Sequence, residues 1–470
     1  MQVYATQADV CGVMISTAET AKRAGVHKDT LLRWLRRGLV REPTRNRHGW
    51  RHFTEEEVME VVAYARSEHH EDAQPEELGA NASLRALASM DWDFAGAKTN
   101  YLTHRLHPYP AKFIPQIPNA LIQELSRVGD TVGDIFCGSG TTLVESLTLK
   151  RNAVGVDASP LACLIAKAKT TLLTEGGKQE LVLVLERVRR MAEHAQASES
   201  SSLPGVFSSA WRPDFPKLNF WFDDFIIEEL AEVLQLCRGI ASPEARTVAL
   251  ASFSAIVVTV SRQDSDTRYV RREKGTMPGD AFKRFARALE QSIEVVSELT
   301  DIVEPRFNCT IVEQNLLLKP DVPMLDLVVC SPPYPNAFSY HLYHMTRMIW
   351  LGMDQPRFKA EEIGSHRKYS KKGVGVATVE TFQKEFSIIL SWLGGRLKRG
   401  KYACFVVGDS TLAGKRVSNA DVISEAGIPA GFREVARIDR HMQATKKSFN
   451  PAIGKIKTEQ ILVLEHVGRQ

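Results

Sequence analysis

Apolar residues along this chain recur with two periods, and the places where the period changes mark its elements. From Thr131 the sequence reads TVGDIFCGSGTTLVESLTLKRNAVGVDASPLACLIAKAK. The short apolar run 131–136 ends at a Gly-rich turn, as a buried strand does. Positions 141–149 then repeat their apolar residues at helical spacing. A second apolar run, 152–156, is closed by Asp157, and Pro160 stands where the first turn of a helix tolerates a residue without an N–H. Strand, helix, strand, helix in direct succession predicts parallel strands joined by crossover helices, an α/β fold. Further on, 309–312 and 325–329 read as strands on either side of a polar turn at Gln314 and Asn315. KYACFVVGD reads as a fifth strand, and ARIDRH with TEQILVLE as a closing antiparallel hairpin.

Between the second and third of these strands the pattern is mostly helical. DDFIIEELAEVLQLCRGI and AFKRFARALEQSIEVVSEL both carry an apolar stripe at helical spacing, within an insertion of about 175–305. EHAQASESSSLPG (193–205) reads as a surface loop. Near the N-terminus, Thr17 precedes a short helical pattern that stops at Gly25. Asp29 precedes another that stops at Gly38, and RNRHGWRHFT follows with turn residues between basic and aromatic flanks.

Composition narrows the class. With 470 residues, 44% hydrophobic and 25% charged, the chain is long enough for roughly three globular domains. No apolar run reaches the roughly 18 residues of a membrane span, and residues 1–13 lack the features of a signal peptide. The seven cysteines are scattered without a CxxC pair, which fits a reducing, cytoplasmic setting and argues against a structural zinc site. Net charge is only +4, but it is sorted. Residues 22–51 hold ten Lys or Arg against two acids, and residues 55–77 then turn acidic. The expected organisation is a basic module at 1–66, a linker at 67–100 and a main domain at 101–470.

Two short helices around a Gly-containing turn, followed by a hairpin, read as a winged helix-turn-helix. Arg33, Trp34, Arg37, Gly38, Leu39, Gly49, Arg51 and Phe53 resemble the MerR-type module. The resemblance implies that Lys28, Thr30, Arg33, Arg36, Arg47 and Arg51 meet phosphates or base edges of double-stranded DNA, with Trp34 and Leu35 in the core. The bland alternative is a helical hairpin with a solvated basic face.

The turn after the first strand is neither GxGxxG nor GxxxxGK[ST], so a dinucleotide or triphosphate cradle is disfavoured. Asp134-x-Phe136-x-Gly138-x-Gly140 resembles motif I of S-adenosylmethionine-dependent methyltransferases, and Asp157 the acid of motif II. The implied fold is the Rossmann-like class I methyltransferase sheet. By this resemblance Gly138 and Gly140 admit the methionine end of the cofactor, and Phe136 and Thr141 also bind the cofactor. Asp134 takes its amino group and Asp157 its ribose. Cys137 reads as packing, since no basic neighbour activates it.

DLVVCSPPYPNAFSY (326–340) breaks a strand with two prolines, which remove two backbone donors. Ser331-Pro332-Pro333-Tyr334 resembles motif IV of the amino-methyltransferases, enzymes that methylate an exocyclic base amine. The Ser331 side chain and the Pro332 carbonyl would accept the two amine hydrogens, and Tyr334 would offer a ring face to a base swung out of its helix. Asn315, at another strand end, joins the cofactor residues. LTHRLHPYPAKFIPQIPNALI (102–122) resembles the motif that closes the cofactor pocket, with His107, Pro108, Tyr109, Lys112 and Phe113 as candidates.

The motif order and the long insertion depart from the family pattern. The Gly turn precedes Ser-Pro-Pro-Tyr, whereas most relatives with that tetrapeptide have the reverse order. The insertion carries Arg262, Arg268, Arg271, Arg272 and Lys274 interleaved with acids, read as a nucleic-acid-facing loop or as a buried ion-pair network. Arg440, Lys446, Lys447, Lys455 and Lys457 read as a phosphate-tracking segment or a solvated loop. His341 and His344 form one HxxH, too little for a metal site. Ser331 favours cytosine N4 over adenine N6. Methylation of an RNA base and a ligand-sensing transcription regulator are the alternative functions, and the resemblance leaves room for a restriction or other defence-system partner.

Overall fold

The computed structural model describes residues 15–24, 31–32, 34–35, 39–45, 51–66, 80–94, 96–112, 114–197, 209–335, 338–369, 377–412, 414–441 and 458–468. The chain divides into two compact units, Met1–Ser89 and Met90–Gln470.

In the first unit Ile15–Ser16, Arg51–Phe53 and Thr44–Arg45 make a small antiparallel sheet with Arg51–Phe53 in the middle. The helix Thr17–Arg23 is capped by Ser16, whose hydroxyl accepts from Glu19 N at 3.3 Å; Thr17, expected to precede the helix, is its first residue. Trp34 and Leu35 are buried with Ile15, Leu31, Phe53, Val58 and Val61 in one core. Of the expected DNA contacts, Lys28, Thr30, Arg33, Arg36 and Arg47 lie outside the described residues. Arg51 is described, and its Nε donates to Glu42 at 2.8 Å, so part of this guanidinium is engaged inside its own hairpin. The segment expected to be a linker contains the helix Ala80–Ala88, whose Ala- and Leu-rich sequence favours that state.

The second unit is built on a seven-stranded sheet. Its strands are β1 (Thr131–Asp134), β2 (Asn152–Asp157), β3 (Cys309–Glu313), β4 (Leu325–Cys330), β5 (Leu397–Gly408), β6 (Phe432–His441) and β7 (Thr458–His466). Their order is β6-β7-β5-β4-β1-β2-β3. β3, β2, β1, β4 and β5 run parallel, and β7 pairs antiparallel with both β5 and β6. This is a Rossmann-like, mainly parallel sheet with a large helical insertion between β2 and β3. Chain order reverses between β1 and β4, and in open sheets of this kind ligands bind beyond the C-terminal strand ends at such a point.

The helices that bear on the site are α1 (Gln116–Leu125), α2 (Thr141–Thr148), α3 (Pro160–Thr170), α4 (Glu175–Ala197), α5 (Asp224–Arg238), α6 (Pro243–Val260), α7 (Asp280–Ile302), α8 (Val379–Leu393) and α9 (Asn419–Gly427). Alternate residues of the strands serve the two faces of the sheet. Val154, Val156, Val328 and Cys330 pack with Phe382, Phe386 and Ile389 of α8, while Ala153 packs with Leu143, Leu147 and Ala166 of α2 and α3. Helices α4 to α7 share an apolar core that also takes in Leu106 and Ala168. By length and composition α6 could cross a membrane, contrary to the expectation that no run is long enough. Its apolarity has a simpler cause, because it is mostly buried between α3, α5 and α7. The helix α4 runs on to Ala197, into the stretch expected as a surface loop.

Two charged segments differ from expectation. Gln263–Ser265 and Arg268–Arg271 form a two-stranded ribbon. Its arginines are exposed, yet each meets an acid: Arg268 and Arg272 lie 3.6 and 3.3 Å from Asp264, and Arg271 lies 2.6 Å from Glu273 and stacks over Phe220. They form an ion-pair network, as the second of the two readings has it, but at the surface and not buried. Arg440 is buried on β6, paired with Glu459 at 2.5 Å and donating to the Trp92 carbonyl at 3.3 Å, so it is not a phosphate contact. Lys446, Lys447, Lys455 and Lys457 lie outside the described residues.

Candidate active site

The register of the parallel strands sets their polar ends side by side. Asp134 ends β1 opposite Gly155, and Asp157 ends β2 opposite Glu313. Beyond β1 the chain turns through Gly138 (φ 47) and Gly140 (φ 81) into α2, with Thr141 buried as its first residue. Gly138 N donates to Asp157 Oδ2 at 2.9 Å and Ser159 N to Oδ1 at 2.8 Å, which ties the Gly turn to the end of β2. Asp134 is almost wholly buried and accepts from Phe136 N at 3.1 Å. Burial raises its pKa to about 7, against a smaller opposing effect of the Thr142 side chain. Burial likewise raises Asp157 to about 6, opposed by its two backbone donors. Phe136 lies against Phe386, 6.0 Å between ring centres. Burial pushes the Cys137 thiol well up, so it is inert packing.

The segment before α1 covers this turn. A Cβ on Gly138 would lie 3.6 Å from Tyr109 Cε1. The Lys112 Nζ donates to the His104 carbonyl at 2.8 Å, and burial lowers its pKa. His107 is buried, with Nε2 3.0 Å from the Ser254 hydroxyl of α6. Pro108 is exposed and Phe113 lies outside the described residues.

Beyond β4, the strand next to β1, comes Ser331–Tyr334. Pro332 is buried, and Ser331, Pro333 and Tyr334 are half-buried. The Tyr334 hydroxyl donates toward Glu459 of β7 at 3.2 Å and lies 3.4 Å from the Val406 carbonyl of β5. Burial, then Glu459, raises its pKa well above the ordinary value. Gly364 (φ 75) lies under the turn: a Cβ there would stand 2.8 Å from the Tyr334 carbonyl and 3.1 Å from Pro333 Cβ. Asn315, expected at the cofactor, caps a short 3-10 turn. Its Oδ1 accepts from Leu317 N at 2.9 Å, and its Nδ2 donates to the Glu361 carbonyl at 3.4 Å.

The chain after the tetrapeptide folds back over the Gly turn. The Tyr340 ring stacks on Tyr109 at 5.8 Å, and His344 lies 5.1 Å from Tyr109. Glu362 accepts from Tyr340 N at 2.5 Å and lies 2.6 Å from His341 Nδ1. Among the described residues no cluster of His, Cys, Asp or Glu fits a metal ion. Sequence reading missed Glu362, Glu459, Ser139 and Lys169. Nothing local marks them, since an acid in a loop or a lysine in IAKAKT has the pattern of a solvated face.

The raised Asp134 has a consequence that titration can read. Its folded pKa of about 7 exceeds the ordinary 3.8, so its contribution to stability is full below 3.8 and declines as pH rises to about 7. A cationic ligand group beside it needs the ionised form. Affinity for such a ligand should therefore fall about tenfold for each pH unit below the pKa. Asp157, titrating near 6, should steepen the fall. Calorimetry from pH 5.5 to 8 with S-adenosylhomocysteine, a ligand of the kind that the sequence resemblance implies, checks this, and Asp134→Asn should flatten the profile above the Asp157 range.

Residues 40–168 match the family model N6_N4_Mtase, described as DNA methylase. That span includes the Gly turn and Asp157 and ends before Ser331. Type II methyltransferase M.MvaI of Kocuria varians is 29% identical over 280 residues, 55% of this chain and 60% of that protein. M.MjaII of Methanocaldococcus jannaschii, also a Type II methyltransferase, is 42% identical over 86 residues, 17% of this chain and 16% of that one. Type II methyltransferase M.BsoBI of Geobacillus stearothermophilus is 21% identical over 299 residues, 56% and 55% of the two chains. The matched stretches thus cover 60% of the length of the Kocuria varians protein and less of the other two.

Proposed function

We propose that this protein is a DNA amino-methyltransferase, transferring a methyl group from S-adenosylmethionine to an exocyclic base amine in double-stranded DNA, with cytosine N4 the favoured target and adenine N6 the alternative. The match to the DNA methylase model and the likeness to three Type II methyltransferases support the reaction class. One observation carries the reading: β1 and β4 are neighbours, so the Gly138–Gly140 turn and Ser331–Tyr334 open from adjacent strand ends. Neighbouring strands lie about 4.8 Å apart. That spacing suits a methyl donor held on one turn and an amine held on the other.

The residues fit the cofactor. Asp134 is a buried carboxylate whose charge an amino group would stabilise. Asp157 offers two oxygens at the ribose position, now held by backbone N–H groups. The Ser139 hydroxyl, in the same turn, is buried without a partner. S-adenosylmethionine supplies an electrophilic methyl carbon bonded to a cationic sulfur. The chain's own task is to make an amine with a delocalised lone pair attack it. Ser331 and the Pro332 carbonyl accept the amine hydrogens and localise the lone pair, and the prolines keep the carbonyl from turning away. Tyr334, its hydroxyl held by Glu459, offers its ring face to the base. Positioning and electrostatics carry the rate, with no covalent intermediate.

Labelled S-adenosylmethionine with mixed DNA and RNA substrates, followed by nucleoside mass analysis, tests the polymer, base and position together. Label in RNA alone favours the RNA reading. Cofactor binding with no transfer to either polymer favours a ligand-sensing regulator. In the same proposal the basic N-terminal unit supplies DNA affinity. Deleting residues 1–66 is expected to weaken DNA binding and to flatten its salt dependence, by about one unit of slope for each phosphate that the unit neutralises. Fluorescence anisotropy across a salt series checks it, and an unchanged slope would assign the unit another partner.

A further inference from the structure

Ser331 carries an ambiguity that the Pro332 carbonyl does not. A carbonyl oxygen only accepts, but a serine hydroxyl rotates and can donate as readily as accept. The proposed chemistry needs it to accept, because the amine presents its hydrogens. Nothing within Ser-Pro-Pro-Tyr sets that direction, so it has to come from the groups around the tetrapeptide.

The sheet register brings an ion pair to this place. Antiparallel β7 enters the sheet at the edge where the parallel strands end. Its second residue, Glu459, stands opposite Gly408, the last residue of β5, on one side and opposite Arg440 of β6 on the other. Arg440 Nη1 lies 2.5 Å from Glu459 Oε2, and Arg440 Nε donates to the Trp92 carbonyl at 3.3 Å. The two side chains are only 8% and 14% exposed, so water and salt screen the pair little. The other carboxylate oxygen, Glu459 Oε1, is 3.2 Å from the Tyr334 hydroxyl, which also lies 3.4 Å from the Val406 carbonyl. Counting donors and acceptors then sets a direction. A carboxylate paired with a guanidinium and a backbone carbonyl both accept only. Tyr334 has one hydroxyl proton, and both of these acceptors draw it. The phenol oxygen is left to accept, and the groups that bear on it as donors are the Ser331 side chain and the Gly408 N–H. A Ser331 hydroxyl that turns its proton to Tyr334 keeps its lone pairs for another donor.

We infer that Glu459, held by Arg440, is a positioning residue that fixes Tyr334 as a donor and thereby fixes Ser331 as an acceptor for the target amine. The inference rests on the methyltransferase reading and adds to it an ion pair on the closing hairpin. Neither member of the pair touches the reacting atoms. They act through the direction of two successive hydrogen bonds, and the Trp92 carbonyl keeps the guanidinium from swinging away. A neutral side chain in place of Glu459 could donate to the phenol, release its proton toward Ser331 and leave the serine free to point either way.

The test is a double-mutant cycle on the full chain, read by single-turnover transfer of labelled methyl to double-stranded DNA, with S-adenosylhomocysteine titrated in parallel. Glu459→Gln keeps the shape of the side chain and replaces one acceptor oxygen by a donor. It should slow transfer about tenfold, the worth of one hydrogen bond, and leave S-adenosylhomocysteine affinity within about threefold. In a Tyr334→Phe background the chain of hydrogen bonds is already broken, so the same substitution should cost less than about twofold. A Glu459 that only holds the hairpin together would slow both backgrounds equally. Equal losses, or an unchanged rate in Glu459→Gln, with active wild-type protein overturn the inference alone. If wild-type protein transfers no methyl to DNA or RNA, the methyltransferase reading falls and takes the inference with it. Should Glu459→Gln fail to fold, Arg440→Lys, which keeps the charge and loses the guanidinium fork, goes through the same two backgrounds. A loss confined to the protein with Tyr334 supports the inference, and an equal or absent loss refutes it.

Discussion

Ser331→Ala is expected to lower the rate of methyl transfer by at least about 10²-fold while leaving S-adenosylhomocysteine affinity within about threefold, the pattern of an interaction made only in the transition state. The reason is chemical. The amine attacks only after its lone pair leaves conjugation with the ring, and Ser331 is one of two acceptors that favour that state. The cofactor contacts assigned to Asp134, Ser139 and Asp157 lie on other strands, so cofactor binding should be spared. Tyr334→Phe divides the aromatic role from the polar one. It keeps the ring face and removes the bond to Glu459, 3.2 Å away. Its expected effect is a smaller rate loss than Tyr334→Ala. Single-turnover transfer from labelled cofactor, with calorimetry in parallel, checks both. Full activity in Ser331→Ala would remove its proposed role.

Gly140→Ala is expected to be the most damaging single methyl group added to the cofactor wall. Two costs coincide there. The backbone is left-handed, with φ 81, and the new Cβ would meet Ala166 Cβ at 3.0 Å and Ala166 Cα at 3.1 Å. Strain and overpacking together should cost about 2–4 kcal/mol of stability. Because α3 cannot yield without shifting its packing on the insertion core, the turn should move instead and cofactor affinity should fall. Gly275→Ala is the control. Its φ is 63 but nothing lies within 4 Å, so only the conformational cost applies, about 1 kcal/mol. Thermal denaturation and S-adenosylhomocysteine titration of the pair separate strain from collision. Equal effects at the two positions would show that the Ala166 contact is unimportant.

Pattern and structure agree best where the signal is local. The strands around Asp134, Asp157 and Ser331 are legible because a buried parallel strand is an apolar run with turn residues at its ends. The Gly turn is legible for the same reason. Its left-handed backbone favours glycine wherever it occurs. The Ala80–Ala88 helix was hidden inside an expected linker, since the charged and Pro-containing residues before it dominate the composition. Ser16 displaced Thr17 as a cap because both residue types can cap and only backbone geometry chooses between them.

Side-chain partners over long separations are a different matter. A charge has the same appearance in a sequence whether water, an acid or a substrate will meet it. The arginines of the 263–271 ribbon find acids in or beside their own ribbon, and Arg440 finds Glu459 across an antiparallel pair. Tyr334 reaches a residue 125 positions away. Asn315 becomes a cap, and Lys169 ends up buried with no acceptor. Periodicity and turn chemistry were therefore enough to place the sheet and the residues at the strand ends, because both depend on neighbours in the chain. The fate of each charge, Lys169 included, waited for the packing of strands and helices, because desolvation and pairing depend on neighbours in space.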